Sequence, residues 1–128
     1  MRILAVDHGV ARAGCAISDP SGTLATPLGV IEPPDPERVA QLVAEHGVEL
    51  VVVGLPVSLA GEEGTQAKLS REFRNQLAAI VSVPVETYDE RLTTRMAERS
   101  ARTGAKAPAD ALAAAHLLEA YLASRNDG

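Results

Sequence analysis

The stretch Arg2-Ile-Leu-Ala-Val-Asp7 is an apolar run that ends in a carboxylate, with His8 and Gly9 directly after it. An apolar run that stops at such a turn is typical of a buried β-strand. Residues 12–18 and 23–31 have the composition of two more short strands, separated by a turn rich in Asp, Pro, Ser and Gly. Three short strands joined by tight turns predict an antiparallel meander.

The pattern changes after Pro33, and helices then alternate with strands. Strands separated by helices need crossover connections and are therefore parallel to one another. The predicted fold is a single α/β domain over residues 1–128, with a mixed five-stranded sheet, antiparallel in its first three strands and flanked by helices. The remaining predicted elements are a helix that ends at Gly47, a strand over 49–54, a helix with Leu69, Phe73, Leu77 and Ile80 on its apolar face, a strand over 83–88, and helices over 93–102 and 108–124.

The composition excludes several classes of protein. At 128 residues the chain has the length of one domain, and its 46% hydrophobic residues suffice for a core. No apolar run approaches the roughly 18–20 residues that a membrane-spanning helix needs. The single cysteine, Cys15, cannot form an internal disulfide, and Asp7 interrupts the apolar start that a signal peptide needs. We therefore expect a cytoplasmic protein.

Charge and aromatic content limit how the chain could bind nucleic acid. The net charge is −5, and aromatic residues make up only 2% of the chain, which argues against recognition by base stacking. Residues 68–106 nevertheless carry eight basic and five acidic residues, so most of the acidity lies elsewhere. Any nucleic-acid partner should therefore be bound modestly and in a salt-sensitive way.

Carboxylates follow the predicted strands where ligands collect in open α/β sheets, beyond the carboxyl ends of parallel strands. Asp7 closes the first strand, Asp89 and Glu90 close the fifth, and Asp110 lies in the first turn of the last helix. Together they could form an oxygen-rich site of the kind that Mg²⁺ and Mn²⁺ prefer. Two such ions about 4 Å apart can hold both the attacking and the leaving oxygen of a phosphodiester.

Each of these carboxylates also has a simpler interpretation. Asp7 could be a turn residue, and Asp110 could only complement the helix dipole. Glu90 could pair with Arg91 or Arg95 on the surface.

The basic residues next to these acids have two interpretations as well. Arg12, Arg91 and Arg95 are the candidate phosphate contacts, because they follow the predicted acidic residues most closely. The alternative for Arg91 and Arg95 is an ordinary solvated helix face.

Four segments carry a resemblance to a known family. They are Leu4-Ala-Val-Asp-His-Gly-Val-Ala-Arg-Ala-Gly-Cys-Ala-Ile-Ser-Asp19, Val53-Gly-Leu-Pro-Val57, Tyr88-Asp-Glu-Arg-Leu-Thr-Thr94 and Asp110-Ala-Leu-Ala-Ala-Ala-His-Leu-Leu118. In this order they resemble the YqgF/RuvX family of Holliday-junction-resolvase-like proteins, which are proposed to be pre-16S rRNA nucleases. The resemblance spans nearly the whole chain, and the segment that begins at Tyr88 is the most specific.

The resemblance implies a ribonuclease-H-like fold and an endonuclease that depends on Mg²⁺ or Mn²⁺, with two ions. Asp7, Glu90, Asp110 and Asp89 would be the catalytic residues, and the first three of these would hold the metal. The implied substrate is the 5′ end of precursor 16S rRNA, with the ribosomal particle as a further partner and no membrane.

Two alternatives remain at this stage, namely a Holliday-junction resolvase that acts on branched DNA and a non-cleaving RNA-binding scaffold in ribosome assembly or transcription. The expected oligomeric state is a monomer or weak homodimer.

Overall fold

The structure is a computed structural model, and it describes residues 1–56, 64–90 and 109–127. Each described element lies where the pattern of apolar residues predicts it, with shifts of a few residues at the ends. The predicted helix over 93–102 lies outside the described residues. In chain order the elements are β1 (Ile3–His8), β2 (Ala13–Ser18), β3 (Ala25–Ile31), α1 (Pro36–His46), β4 (Leu50–Leu55), α2 (Thr65–Ile80), β5 (Val85–Asp89) and α3 (Ala109–Asp127).

The five strands form one mixed sheet in the order β3-β2-β1-β4-β5. The pairs β1–β2 and β2–β3 are antiparallel, whereas β1–β4 and β4–β5 are parallel. This arrangement confirms the predicted mixed sheet. Because β1, β4 and β5 are parallel, their carboxyl ends meet at one edge of the sheet.

Each face of the sheet has its own apolar core because successive side chains in a strand point to opposite faces. Leu4, Val6 and Val53 lie on the face that α1 and α2 cover. Ile3 and Ala5 lie on the opposite face, against α3. Strand β4 is buried along its whole length, as its run of Leu and Val predicts.

The ends of α1 follow from local sequence. The Asp35 side chain accepts a hydrogen bond from the backbone N–H of Glu37, and Pro36 occupies the first turn. Gly47 ends the helix in the left-handed conformation, with φ of 62°. The helix therefore begins and ends where capping residues allow it.

Helix α2 buries only part of the apolar face that the sequence predicts. Phe73 and Leu77 are buried as expected, but Leu69 and Ile80 are 36% and 49% exposed. Two small residues, Ala67 and Ser70, are buried instead. Among the described residues, no helix is long and apolar enough to span a membrane.

Candidate active site

Asp7 lies near the carboxyl end of β1 between two glycines of the neighbouring strands. It pairs with Gly14 of β2. On β4, Val53 is the partner of Val6, so the residue after Val53, which is Gly54, lies next to Asp7 on the other side. Asp7 shares the sheet face of Ala5, which is the face that α3 covers. The missing side chains of the two glycines leave space on this face beside the carboxylate.

The Glu90 side chain fills the space above Gly54. A methyl group added at Gly54 would overlap the Glu90 carboxyl group. The carboxyl groups of Glu90 and Asp7 are hydrogen-bonded to each other, which requires a proton between them. The structure therefore brings together two predicted catalytic residues from different strands.

The surroundings of Glu90 raise the pKa of its carboxyl group. Burial is the main cause, because it disfavours the charged form. The hydrogen bond that the protonated Glu90 carboxyl donates to Asp7 and the negative charges of Asp7 and Asp89 add to it, and they bring the pKa to about 9. A raised carboxyl pKa at the end of parallel strands is the pattern that active sites use to hold a proton or a cation.

Asp110 approaches the same part of the sheet from the start of α3. A methyl group at Gly14 would overlap the backbone carbonyl of Asp110, so only glycine allows the helix to lie this close to β2. The Asp110 side chain pairs with Arg12, whose Nε lies 3.0 Å from Oδ2. Both side chains are about half exposed, at 52% for Arg12 and 46% for Asp110.

Arg12 therefore contacts a predicted metal ligand. Its Nη1 also lies 3.9 Å from Oε2 of Glu32. Arg91 and Arg95, the other two candidate phosphate contacts, lie outside the described residues.

The donor set has the chemistry of a divalent-cation site. Among residues 1–56, 64–90 and 109–127, no three His, Cys, Asp or Glu side chains lie close enough together to hold one metal ion. Asp7 and Glu90 nonetheless fit a cation, because carboxylate oxygens are the ligands that divalent cations prefer. The two carboxyl groups share a proton, and a bound cation would balance their negative charges in its place. Asp110 is held on Arg12 instead of joining them.

A cluster of side chains packs on the opposite face of β1 from Asp7, and apart from the position of His8 no sequence pattern predicts it. The His8 ring stacks on Phe73, with 4.6 Å between ring centroids. The Gln66 side chain donates to the His8 carbonyl at 3.0 Å, and the buried Ser70 hydroxyl lies 3.4 Å from His8 Nδ1. Burial lowers the pKa of His8 despite the negative charge of Asp7. The first turns of α2 are thereby tied to the end of β1.

Comparison with protein families assigns the chain as a whole. The family model described as "RuvX: Holliday junction resolvase" matches residues 1–124. A Chloroflexus aggregans protein named "Putative pre-16S rRNA nuclease" is 44% identical over an alignment of 135 residues with its gaps included, and the alignment covers 98% of this chain and 95% of the relative. A Desulforudis audaxviator protein of the same name is 40% identical over 138 residues, which cover 100% of this chain and 98% of the relative.

Solved structures with the same fold are more distant in sequence. The Thermus thermophilus RuvC complex with a Holliday junction substrate has a TM-score of 0.68 at 20% identity, with 99% of this chain and 96% of that chain covered. The fowlpox virus resolvase complex with Holliday junction DNA has a TM-score of 0.59 at 13% identity, with 98% and 99% covered. The likeness shows that the fold is the ribonuclease-H-like fold of these resolvases.

Proposed function

The chain belongs to the RuvX (YqgF) family, and we propose that it is a divalent-metal-dependent endonuclease that processes the 5′ end of precursor 16S rRNA. The observation that carries this proposal is the hydrogen-bonded carboxyl pair of Asp7 and Glu90 at the carboxyl ends of β1 and β5. Two acids in contact are unfavourable without a shared proton or a cation. The family membership, with close relatives named for pre-16S rRNA, supports the substrate.

Asp7 and Glu90 would hold the cation between their carboxylates, with Asp89 beside them. Asp110 would complete the set of ligands for two ions of Mg²⁺ or Mn²⁺ once its carboxylate leaves Arg12. Bound cations would supply the positive charge that stabilises a phosphodiester under attack. The Arg12 guanidinium, released from Asp110, can then donate two hydrogen bonds to a substrate phosphate.

The test is a cleavage assay on precursor 16S rRNA and on a four-way DNA junction, each with Mg²⁺ and with Mn²⁺. We expect the wild type to cut the RNA, and Asp7→Asn to reduce the rate by about 10³-fold or more, because several kcal/mol of charge stabilisation is lost. Asp35→Asn is the matched control, since asparagine also caps a helix. Metal-dependent cleavage that survives Asp7→Asn would refute the assignment of the site.

The same assay decides between the alternatives. Cleavage of the junction in preference to the RNA would favour the branched-DNA resolvase that the family description names. Tight RNA binding without cleavage in Mn²⁺, unchanged by Glu90→Gln, would favour a scaffold role.

We assign residues 1–128 to one nuclease domain that acts in the cytoplasm. The single cysteine is buried and forms no disulfide, which fits the reducing conditions of that compartment.

A further inference from the structure

A polar groove of about 430 Å³ lies between helix α2 and the edge strand β5. Its lining is rich in hydrogen-bond donors and contains one acidic residue. The lining residues are Arg71, Arg74, Asn75, Val85, Glu86 and Thr87. None of them belongs to the carboxylate site described above.

Arg74 is held in place by the strand that it lies against. Its Nε and Nη2 donate to the Val85 carbonyl at 2.9 and 2.7 Å, and its Nη1 donates to Asn75 Oδ1 at 3.1 Å. These contacts use three of the five N–H donors of the guanidinium. The two that remain belong to a group whose position is already fixed, so binding an anion would cost little conformational entropy.

The charges around the groove favour an anion. Helix α2 alone among the described helices and strands has more basic than acidic residues, with Lys68, Arg71 and Arg74 against Glu72. The acidic residue of the lining, Glu86, accepts a hydrogen bond from the Tyr121 hydroxyl at 3.3 Å. With Arg71 and Arg74 against Glu86, the lining carries more positive than negative charge, on a chain whose net charge is −5.

Strand β5 connects the groove to the carboxylate site. Val85 lines the groove, and Asp89, four residues further along, precedes Glu90. Four residues of extended strand span about 13 Å. A phosphate bound in the groove would therefore lie a few nucleotides along the substrate strand from the carboxylate site.

We propose that this groove binds a backbone phosphate of the substrate, a few nucleotides from the bond that is cut. The proposal rests on the proposed function and adds a second contact point to it. The ligand chemistry is the phosphodiester group, which RNA and DNA share. Such a contact fixes the register of the substrate on the protein without reading its bases.

The first experiment measures binding of labelled precursor rRNA and of a labelled four-way junction over a range of salt concentrations. Arg71→Gln removes one positive charge. Arg74→Lys keeps the charge but loses the planar guanidinium group with its several N–H donors. Arg38→Gln on α1 is the matched control. We expect both groove variants to bind about 3- to 10-fold more weakly, and the salt slope of Arg71→Gln to fall by about one. Binding and salt slope equal to those of Arg38→Gln would overturn the proposal.

The second experiment locates the phosphate. Each substrate of a series has one neutral methylphosphonate at a different phosphate near the cut, and one of them should bind the wild type as weakly as the unmodified substrate binds Arg71→Gln. The same modification should have no further effect on Arg71→Gln. If the losses of affinity caused by the modification and by Arg71→Gln add up, the groove assignment is overturned while the nuclease assignment stays intact. A wild type that neither binds nor cuts either substrate would overturn both.

Discussion

Arg12 Nε lies 3.0 Å from Asp110 Oδ2, so the acid contributed by α3 is neutralised by the protein's own cation. Because both side chains are about half exposed, the pair contributes at most about 1 kcal/mol to the free energy of unfolding. We expect Arg12→Gln to fold normally and to bind Mn²⁺ up to about fivefold more tightly, since one competitor for Asp110 is removed. Isothermal titration calorimetry of wild type, Arg12→Gln and the control Arg38→Gln measures this. Weaker Mn²⁺ binding in Arg12→Gln would show that the pair positions Asp110 for the metal.

The raised pKa of Glu90 makes stability depend on pH. The unfolded chain releases this proton near the ordinary value of 4.5, whereas the folded chain keeps it until about 9. The contribution of Glu90 to the free energy of unfolding is therefore greatest below 4.5 and is lost as pH rises between these values. Without metal, Glu90→Gln should be more stable than wild type at pH 8, by about 1–3 kcal/mol after solvent screening, and the difference should vanish near pH 4.

Thermal unfolding at several pH values measures this difference, with Glu86→Gln as the control on the same strand. Added Mg²⁺ should raise the Tm of wild type more than that of Glu90→Gln, because a bound ion replaces the shared proton. A stability difference that stays constant from pH 4 to pH 8 would contradict the prediction.

The contact of Gly14 with Asp110 predicts a loss of stability. Gly14→Ala would place a methyl group against the backbone carbonyl of Asp110, and a carbonyl within a helix cannot turn aside. We expect a loss of about 1–3 kcal/mol in the free energy of unfolding, measured by urea denaturation. Gln76→Ala is the control, because it exchanges an exposed side chain within α2 for alanine, which favours a helix. Equal stability of the two variants would rule out the close approach.

The contact of Gly54 with Glu90 predicts a different outcome. Gly54→Ala would meet the end of a side chain, which can rotate away, so the cost in stability should stay below about 1 kcal/mol. Rotation would break the hydrogen bond between Glu90 and Asp7, and the cleavage rate should fall by at least about tenfold. The pH dependence of stability should fall with it. Unchanged cleavage in a folded Gly54→Ala would argue against a catalytic role for Glu90.

The sheet could be predicted because its signals are local. A run such as Leu50–Leu55 is apolar along its length, and the helices between the later strands require parallel pairing. The meeting of Asp7 with Glu90 follows from the same rule, since both residues lie at the carboxyl ends of strands on one side of the sheet. These predictions needed no knowledge of side-chain packing.

The rest depends on contacts between segments distant in sequence. Nothing near Gly14 or Gly54 in the chain indicates that Asp110 and Glu90 would occupy the space beside them. The buried face of α2 was predicted from its large apolar residues, but Ser70 is buried because the helix lies against His8 at the end of β1. Arg12 was predicted to contact phosphate, and its pairing with Asp110 arises only when α3 docks.

The docking of α3 against Gly14 also determines at what point during synthesis the carboxylate site can form. Asp7 belongs to β1 and Asp110 to α3, which leaves the ribosome about a hundred residues later. Contacts between such distant segments form only after most of the chain is available. A nascent chain can therefore begin its meander early, but the Asp110 carboxylate joins the site only after about a hundred further residues have been made.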